Sequence, residues 1–309
     1  MYRIVTDGSC DLGTDLTKKL DVDVVPFYIS LDGVNYQKEI AELGIREFYQ
    51  FMVDNPKVFP KTSMPSIQDY LDAFKPLAAK KIDIICICIT TKFSGSYNSA
   101  INAKEILLED YPDVKIEVID ATVNTVLQGM LVEEAVAKKN SGASFEETVA
   151  FINDIKSTGR IFFTIGSMDY LIHGGRVGKL SGIAAGALGI KPLILLKEGE
   201  IFNNGITRGR KKSKAKVMEQ IINYLQEINL DLNEYRFAVG FGYDKDEGQE
   251  FKEQFIEKLK TYDPNYDCDI PLRQIGATIG VHTGPYPIGV GLLKKFKNKK
   301  SLFAQWACK

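Results

Sequence analysis

Three loops of the sequence are rich in hydroxyl side chains, which can donate hydrogen bonds to an anion. They read TDGSCD at 6–11, KTSMPS at 61–66 and TTKFSGS at 90–96. Where such a loop leads into a helix, the free N–H groups of the first turn add further donors and a positive dipole end. A single hydroxyl-rich loop more often only caps its helix. Three of them in one chain weaken that interpretation and favour a ligand site at these loops.

Two basic positions could complete such a site. Gly174 and Gly175 would let the backbone approach an anion with the Arg176 guanidinium aimed at it, although a glycine pair before arginine is also a common turn. His282 lies in VHTGP at 281–285, near the end of a predicted strand. An isolated histidine is more often a structural hydrogen-bond donor than a catalytic base.

The sequence lacks the motifs typical of nucleotide-binding and metal-binding sites. The first loop lacks G-x-G-x-x-G, and the chain contains no G-x-x-x-x-G-K-[ST] phosphate loop. Cys86 and Cys88 lie in the apolar run 82–89, and the five cysteines and two histidines show no ligand spacing. We therefore predict no metal site, and we interpret the cysteines as buried thiols in a reducing compartment.

The elements that must position these loops follow an alternating pattern in the first half. Short apolar runs at 3–6, 22–25, 82–90 and 116–120 predict strands, and helical patterns lie at 45–53, 66–79, 97–109, 123–139 and 144–157. This alternation predicts a mostly parallel sheet flanked by helices. The runs 27–31 and 34–36 flank Asp32-Gly33, which predicts a tight β-hairpin.

The second half predicts a mixed α/β arrangement. Strands are expected at 161–165, 192–197 and 237–242, with a turn at Glu198-Gly199, helices at 212–228 and 247–260, and glycine-rich strands within 274–296. A chain of 309 residues favours two domains. We place them at 1–159 and 160–309, with the ligand site between them.

Charge and targeting signals narrow the class of partner. The 39 Lys and Arg residues balance 40 Asp and Glu residues, so no global field favours nucleic acid. The N-terminus lacks the pattern of a secretory signal, and we expect the mature chain to begin at Met1. The apolar stretch 182–196 is too short to span a bilayer and contains Lys191 and Pro192. The expectation is a cytoplasmic protein without integral membrane association.

Six motifs occur in an order that resembles the DegV family. They are TDGSCDL at 6–12, TSMPS at 62–66, FSGSYNSA at 93–100, VIDA at 118–121, YLIHGGRVG at 170–178 and IGVHTGP at 279–285. The resemblance spans nearly the whole chain and implies a bacterial lipid-binding protein that holds one long-chain fatty acid as its ligand and uses no other cofactor. It also implies no catalysis by the chain alone, because some members present the acid to a separate fatty acid kinase.

By the resemblance, the Thr62 and Ser94 hydroxyls hold the carboxylate, and Arg176 and His282 lie beside it. Ser94 also lies where Gly95 and Ser96 open a helix with free amides. The first arginine of the basic run 207–216 matches the region implicated in kinase docking, so Arg208 and Arg210 are candidates for partner contact. The carboxylate chemistry agrees with these assignments, since an ionised acid only accepts hydrogen bonds.

Two alternatives remain open from the residues. Ser94 with His282 as base could form an acyl hydrolase, although Ser94 lacks a G-x-S-x-G elbow and no third member of a triad stands out. A phosphate-ester binding protein would use the same helix starts and Arg176. Departures from the family pattern at Met64, Ala121, Thr125, Leu127 and Tyr286 are expected to shape the tunnel, so the resemblance does not fix chain length or saturation.

Overall fold

The computed structural model describes residues 1–178, 180, 189–267 and 269–296. The strands are β1 Tyr2–Asp7, β2 Val22–Val25, β3 Tyr28–Ser30, β4 Gln37–Lys38, β5 Lys61–Ser63, β6 Asp83–Cys88, β7 Ile116–Asp120, β8 Arg160–Thr164, β9 Ile190–Lys197, β10 Glu200–Arg208, β11 Tyr235–Phe241, β12 Leu272–Gln274 and β13 Ile288–Lys294. The helices are α1 Gly13–Leu20, α2 Ile45–Asp54, α3 Ile67–Ala78, α4 Ser96–Asp110, α5 Thr125–Asn140, α6 Phe145–Ile155, α7 Asp169–His173, α8 Arg210–Glu227, α9 Lys245–Tyr262 and α10 Ala277–Thr283.

A parallel sheet forms in the order β2-β1-β6-β7. Its strands are short apolar runs because both faces are covered, as parallel sheets require. Along β6, Ile84, Cys86 and Cys88 pack toward α3 and α4, whereas Ile85 and Ile87 pack toward α5 and α6. The α/β class, with a helix-flanked parallel sheet, is confirmed.

The second sheet is mixed and has the order β10-β9-β8-β13-β11-β12. Its strands pair antiparallel except for β11 with β12. One face packs Phe162, Val239 and Val290 against α8 and α9. The opposite face contributes Ile161 and Ile194 to the apolar cluster that also contains α5 and α6. Those two helices therefore lie between the two sheets.

The proposed domain boundary at 159/160 stays a prediction. The parallel sheet precedes it and the mixed sheet follows it in sequence. One apolar cluster nevertheless runs across it, from Ile4 and Ile85 through Leu131 to Ile161 and Leu196. Through this shared cluster, both sheets pack against α5.

The predicted antiparallel hairpin is present, but its turn is longer than the predicted two residues. Strands β3 and β4 pair antiparallel, with Tyr28 opposite Lys38, and β5 adds to the other edge of β3. The Asp32 carboxylate accepts N–H bonds from Val34 and Asn35, both at 2.8 Å, so these residues close a wider loop. The second strand therefore begins at Gln37, and the predicted strand at 34–36 is absent from the described hairpin.

The prediction of strands within 274–296 is correct for β13 but wrong for the first part of that stretch. Helix α10 occupies its first part, and only β12 and β13 flank it. The apolar residues of α10 pack with Phe48 and Tyr49 of α2, and Gly280 permits that approach because a Cβ there would clash with the Phe48 ring. Tertiary packing thus makes a helix of a glycine-rich segment. Helices α1 and α7 were not predicted either.

Three predictions fall wholly or partly outside the described residues. The first part of the apolar stretch 182–196 lies outside the described residues, and so do Cys268 and Cys308. The remaining cysteines, Cys10, Cys86 and Cys88, are buried free thiols. Among the residues described, no helix combines the length and apolarity needed to cross a bilayer.

Candidate functional site

A cavity of about 310 Å³ lies where the carboxyl ends of β6 and β7 face the mixed sheet and α10. Its wall is mostly apolar and includes Ile89, Val126, Phe163, Leu196 and Ile288. Residues from both sides of position 160 contribute to it. The volume lies at the lower end of the range for small-molecule sites. Such a wall suits a largely apolar ligand.

Polar donors collect on one part of this wall. Thr62 of β5 and His282 of α10 line the cavity, and the Thr62 Oγ1 atom lies 3.3 Å from His282 Nε2. The antiparallel pairing of Thr62 with Ile29 sets the position of β5. His282 was predicted near a strand end and lies instead on a helix, whose last turn presents the ring to Thr62.

The His282 ring is neutral at physiological pH. Burial, and secondarily the nearby Arg176 charge, lowers the pKa of His282 to about 4. Its Nδ1 atom is buried and has no hydrogen-bond partner among the described residues. A Cβ atom at Gly174 would collide with this ring, which explains the glycine in the first position of the Gly174-Gly175 pair. The imidazole therefore offers one N–H donor rather than a positive charge.

Arg176 supplies the positive charge at the exposed part of the site. Its Nε atom donates to the Phe93 carbonyl at 3.1 Å, and one terminal nitrogen donates to the Gly174 carbonyl at 2.8 Å. These two bonds fix the guanidinium beside the cavity that it lines. An anionic group at this position would be close to a fixed cation.

The β6–α4 loop brings Ser94 and Gly95 to the same cavity. The Ser94 Oγ atom accepts the Ser96 N–H at 3.2 Å, which leaves the Ser94 hydroxyl hydrogen available to a ligand. A Cβ at Gly95 would come 2.7 Å from Met64 Sδ, so a larger residue there would have to displace the Met64 side chain. The structure thus brings together Thr62, Ser94, Gly95, Arg176 and His282.

Ser96 has a different position from the one predicted. It is fully buried and is not among the described residues that line the cavity. Its hydroxyl donates to Asp7 Oδ2 at 2.9 Å and lies 2.7 Å from the Tyr70 hydroxyl. Ser96 therefore supports the loop from behind.

The first hydroxyl-rich loop forms a buried network around Asp7. This carboxylate accepts bonds from Ser9 Oγ at 2.8 Å, Gln128 Nε2 at 2.9 Å, the Ile89 N–H at 2.9 Å and Ser96 Oγ. Burial raises the pKa of Asp7, and these donors oppose that effect. The network joins the ends of β1 and β6 to the starts of α4 and α5, so it positions the site without lining it.

The expected tunnel-shaping positions divide into two groups. Met64 and Thr125 line the cavity. Ala121 and Leu127 are fully buried, and Tyr286 is 37% exposed, but none of these three is among the described residues of the wall. Their influence on a ligand would have to act through neighbours.

Sequence reasoning missed the polar residues Asn124 and Thr278, which also line the cavity. An asparagine just before a helical pattern is usually taken as an N-cap, and a threonine in an apolar segment carries no separate signal. The Thr278 hydroxyl and N–H bond the buried Glu39 carboxylate, which holds the start of α10. Only the tertiary fold brings these residues to the site.

Arg208 and Arg210 lie outside the wall of the cavity described here. Arg208 ends β10 and is exposed. Arg210 begins α8, and its guanidinium forms a two-pronged ion pair with Glu247 at 2.8 and 2.6 Å. That pair joins α8 to α9 and occupies Arg210 in the fold.

The hydrolase geometry is not formed. In the described part of the chain, Ser94 and His282 share no hydrogen bond, and no carboxylate orients His282 Nδ1. Neither does any group of three metal-ligating side chains occur among the residues described. A phosphate ester would place two charges against a wall that has Arg176 as its flanking cation and is otherwise largely apolar.

Known proteins with similar sequences and structures belong to the DegV family. A family model described as "Uncharacterised protein, DegV family" matches residues 1–295. A DegV domain-containing protein of Caldanaerobacter subterraneus subsp. tengcongensis is 32% identical over 289 residues, which cover 93% of this chain and 96% of the relative.

Two solved structures are similar over almost their whole length. A fatty acid (stearic acid)-binding protein from Eubacterium ventriosum ATCC 27560 is 44% identical, with 96% of this chain and 99% of that chain covered and a TM-score of 0.88. A fatty-acid-binding DegV family protein from Thermus thermophilus is 25% identical, with 95% and 99% covered and a TM-score of 0.80.

Proposed function

Because this chain belongs to the DegV family, we propose that it binds one long-chain fatty acid in the cavity described above. The observation that carries the proposal is a mostly apolar cavity with hydroxyl, imidazole and guanidinium donors gathered on one part of its wall. The stearic acid bound by the Eubacterium ventriosum relative supports this ligand class. The carboxylate of such a ligand matches the polar part of the cavity wall, and its alkyl chain matches the apolar part.

The head group would accept hydrogen bonds from Thr62 and Ser94 and lie beside Arg176. His282, being neutral, would contribute by donating its Nε2 hydrogen to Thr62 or to the carboxylate. An ionised carboxylate has room for several such donors. The charge of Arg176 offsets part of the cost of bringing the carboxylate out of water.

The alkyl chain would dominate affinity. Each buried methylene contributes roughly 0.8 kcal/mol, so about a dozen contribute on the order of 10 kcal/mol before ordering costs. Each hydrogen bond to the charged head group is worth roughly 1.5–3 kcal/mol. The head group would therefore set orientation, while the apolar wall supplies most of the binding free energy.

Lipid extraction and mass spectrometry of purified protein test this directly. We expect a fatty acid at close to one molecule per chain, and rebinding of stearic acid after delipidation. A delipidated, folded protein that fails to bind long-chain fatty acids would contradict the proposal. Native mass spectrometry would separate this result from a bound phosphorylated metabolite.

We further infer that the chain acts as a carrier without catalysis and presents the acid to a fatty acid kinase. This step rests on the family resemblance and on the exposed Arg208. Because the kinase consumes ATP, the carrier would work in the cytoplasm. Acyl phosphate should form only when kinase, ATP and loaded carrier are combined, and ester turnover by the carrier alone that is lost in Ser94→Ala would favour the hydrolase.

A further inference from the structure

A buried amide lies in the wall of the cavity without a hydrogen-bond partner. Asn124 directly precedes α5, yet its side chain makes no capping bond to that helix. The residue is 8% exposed and lines the cavity, and its Oδ1 atom is buried with no partner among the described residues. Such an acceptor has lost its hydrogen bonds to water and gained none in return, which is unfavourable. A polar group without a structural role here points to a ligand.

The backbone around Asn124 is strained in the way that binding sites often are. Thr122 and Thr125 have φ values of 56° and 50°, which β-branched residues rarely adopt. The Thr122 N–H donates to Asp120 Oδ1 at 2.7 Å, and the Thr125 hydroxyl bonds Asp11. These bonds hold the turn and keep Asn124 in the wall instead of over the helix end.

The chemistry of the amide restricts its partner. A carboxylate only accepts hydrogen bonds and would leave the Asn124 oxygen unsatisfied, whereas a hydroxyl both donates and accepts. A saturated or unsaturated hydrocarbon chain offers neither. A hydroxyl also suits the amide if its nitrogen and oxygen are exchanged. Asn124 moreover shares no hydrogen bond with the head-group donors in the described part of the chain.

We propose that Asn124 recognises a hydroxyl group carried on the acyl chain, so that the preferred ligand is a hydroxylated long-chain fatty acid. The inference rests on the proposed fatty-acid binding and deepens it. The hydroxyl would satisfy the amide, and the strained turn would select the position along the chain at which that hydroxyl lies.

Competition titration on delipidated full-length protein tests this with stearic acid and with monohydroxystearic acids substituted near the carboxyl group, at mid-chain and near the methyl end. We expect one isomer to bind about tenfold more tightly than stearic acid, from one satisfied hydrogen bond and relief of the unpaired amide. In Asn124→Leu, which keeps the branching, that ratio should fall to about one. If leucine is poorly tolerated at this position, Asn124→Ala should likewise lower the affinity ratio to about one. The control variant Thr207→Val, outside the described cavity wall, should retain the wild-type ratio.

Equal binding of all isomers and stearic acid by the wild type would overturn the inference and indicate that water occupies the amide. A wild-type preference that persists in both Asn124 variants would overturn it too, as would an equal loss of every ligand, which would assign Asn124 to the carboxylate. Failure of stearic acid and all its hydroxylated forms to bind would instead contradict the proposed function itself.

Discussion

Replacing Thr62 by valine removes one hydroxyl and keeps the shape of the side chain. The Thr62 Oγ1 atom lies 3.3 Å from His282 Nε2, and the pKa of His282 is lowered to about 4, so the ring is neutral at pH 7. In the proposed complex the imidazole N–H donates to Thr62, and the Thr62 hydroxyl donates to the carboxylate. Thr62→Val therefore breaks two successive hydrogen bonds.

The expected effect follows from the charge of the acceptor. A hydrogen bond to a charged group is worth roughly 1.5–3 kcal/mol, which corresponds to about a ten- to hundredfold weaker Kd. Burial of the alkyl chain, on the order of 10 kcal/mol before ordering costs, stays in place. Binding should thus weaken strongly but remain measurable.

Calorimetric titration of delipidated protein with stearic acid measures this change. Thr207→Val is a matched control, since Thr207 lies on β10 away from the described wall of the cavity. Ser94→Ala should give a similar loss, and the double variant should lose less than the sum, because the first deletion already lets the head group shift. Wild-type affinity in Thr62→Val, or full additivity, would refute a shared carboxylate site.

Three further outcomes are expected. Arg208→Glu should lower acyl phosphate formation by the kinase and spare fatty acid occupancy; equal losses in both assays would contradict separate docking. Because the pKa of His282 is depressed to about 4 by burial, its stabilising effect on the ligand-free fold is complete above about pH 6.5 and is lost as pH falls toward 4. Denaturant unfolding at several pH values measures how the free energy of unfolding changes with pH. Between about pH 4 and about pH 6.5 that change should be smaller in His282→Gln than in the wild type, and an identical pH dependence in the two proteins would contradict this role of His282. Asp7→Ala should lower the free energy of unfolding by about 3 kcal/mol or more, since it leaves several buried donors unpaired; a loss below about 1 kcal/mol would rule out that network as a main support.

Periodicity predicts the parallel sheet well because its strands are buried on both faces and must be continuously apolar. It fails where side chains override the pattern. Val34-Asn35-Tyr36 alternates like a strand, but the Asp32 carboxylate captures the Val34 and Asn35 amides in a loop. The segment at 277–283 is helical because it packs with α2, a contact that no local pattern encodes.

The candidate site shows the same division. Hydroxyl-rich loops at strand ends predict donors near one edge, and the structure brings Thr62 and Ser94 to one cavity. Nothing in local spacing joins Thr62 to His282, which is 220 positions away in sequence. The family resemblance supplied that pair. Asn124 escaped notice because its residue type and place before a helix are fully explained by capping, a role its side chain does not perform.

The buried Asp7 network has a consequence for synthesis on the ribosome. The Asp7 carboxylate emerges early, yet its donors at Ile89, Ser96 and Gln128 follow 82, 89 and 121 positions later. Until Gln128 has left the exit tunnel, the carboxylate is better solvated by water than by the nascent sheet. Contacts of such long sequence separation also close slowly. The carboxyl end of the first strand should therefore gain its full set of buried donors only after nearly half of the chain is made, even though β2 is available for pairing much earlier.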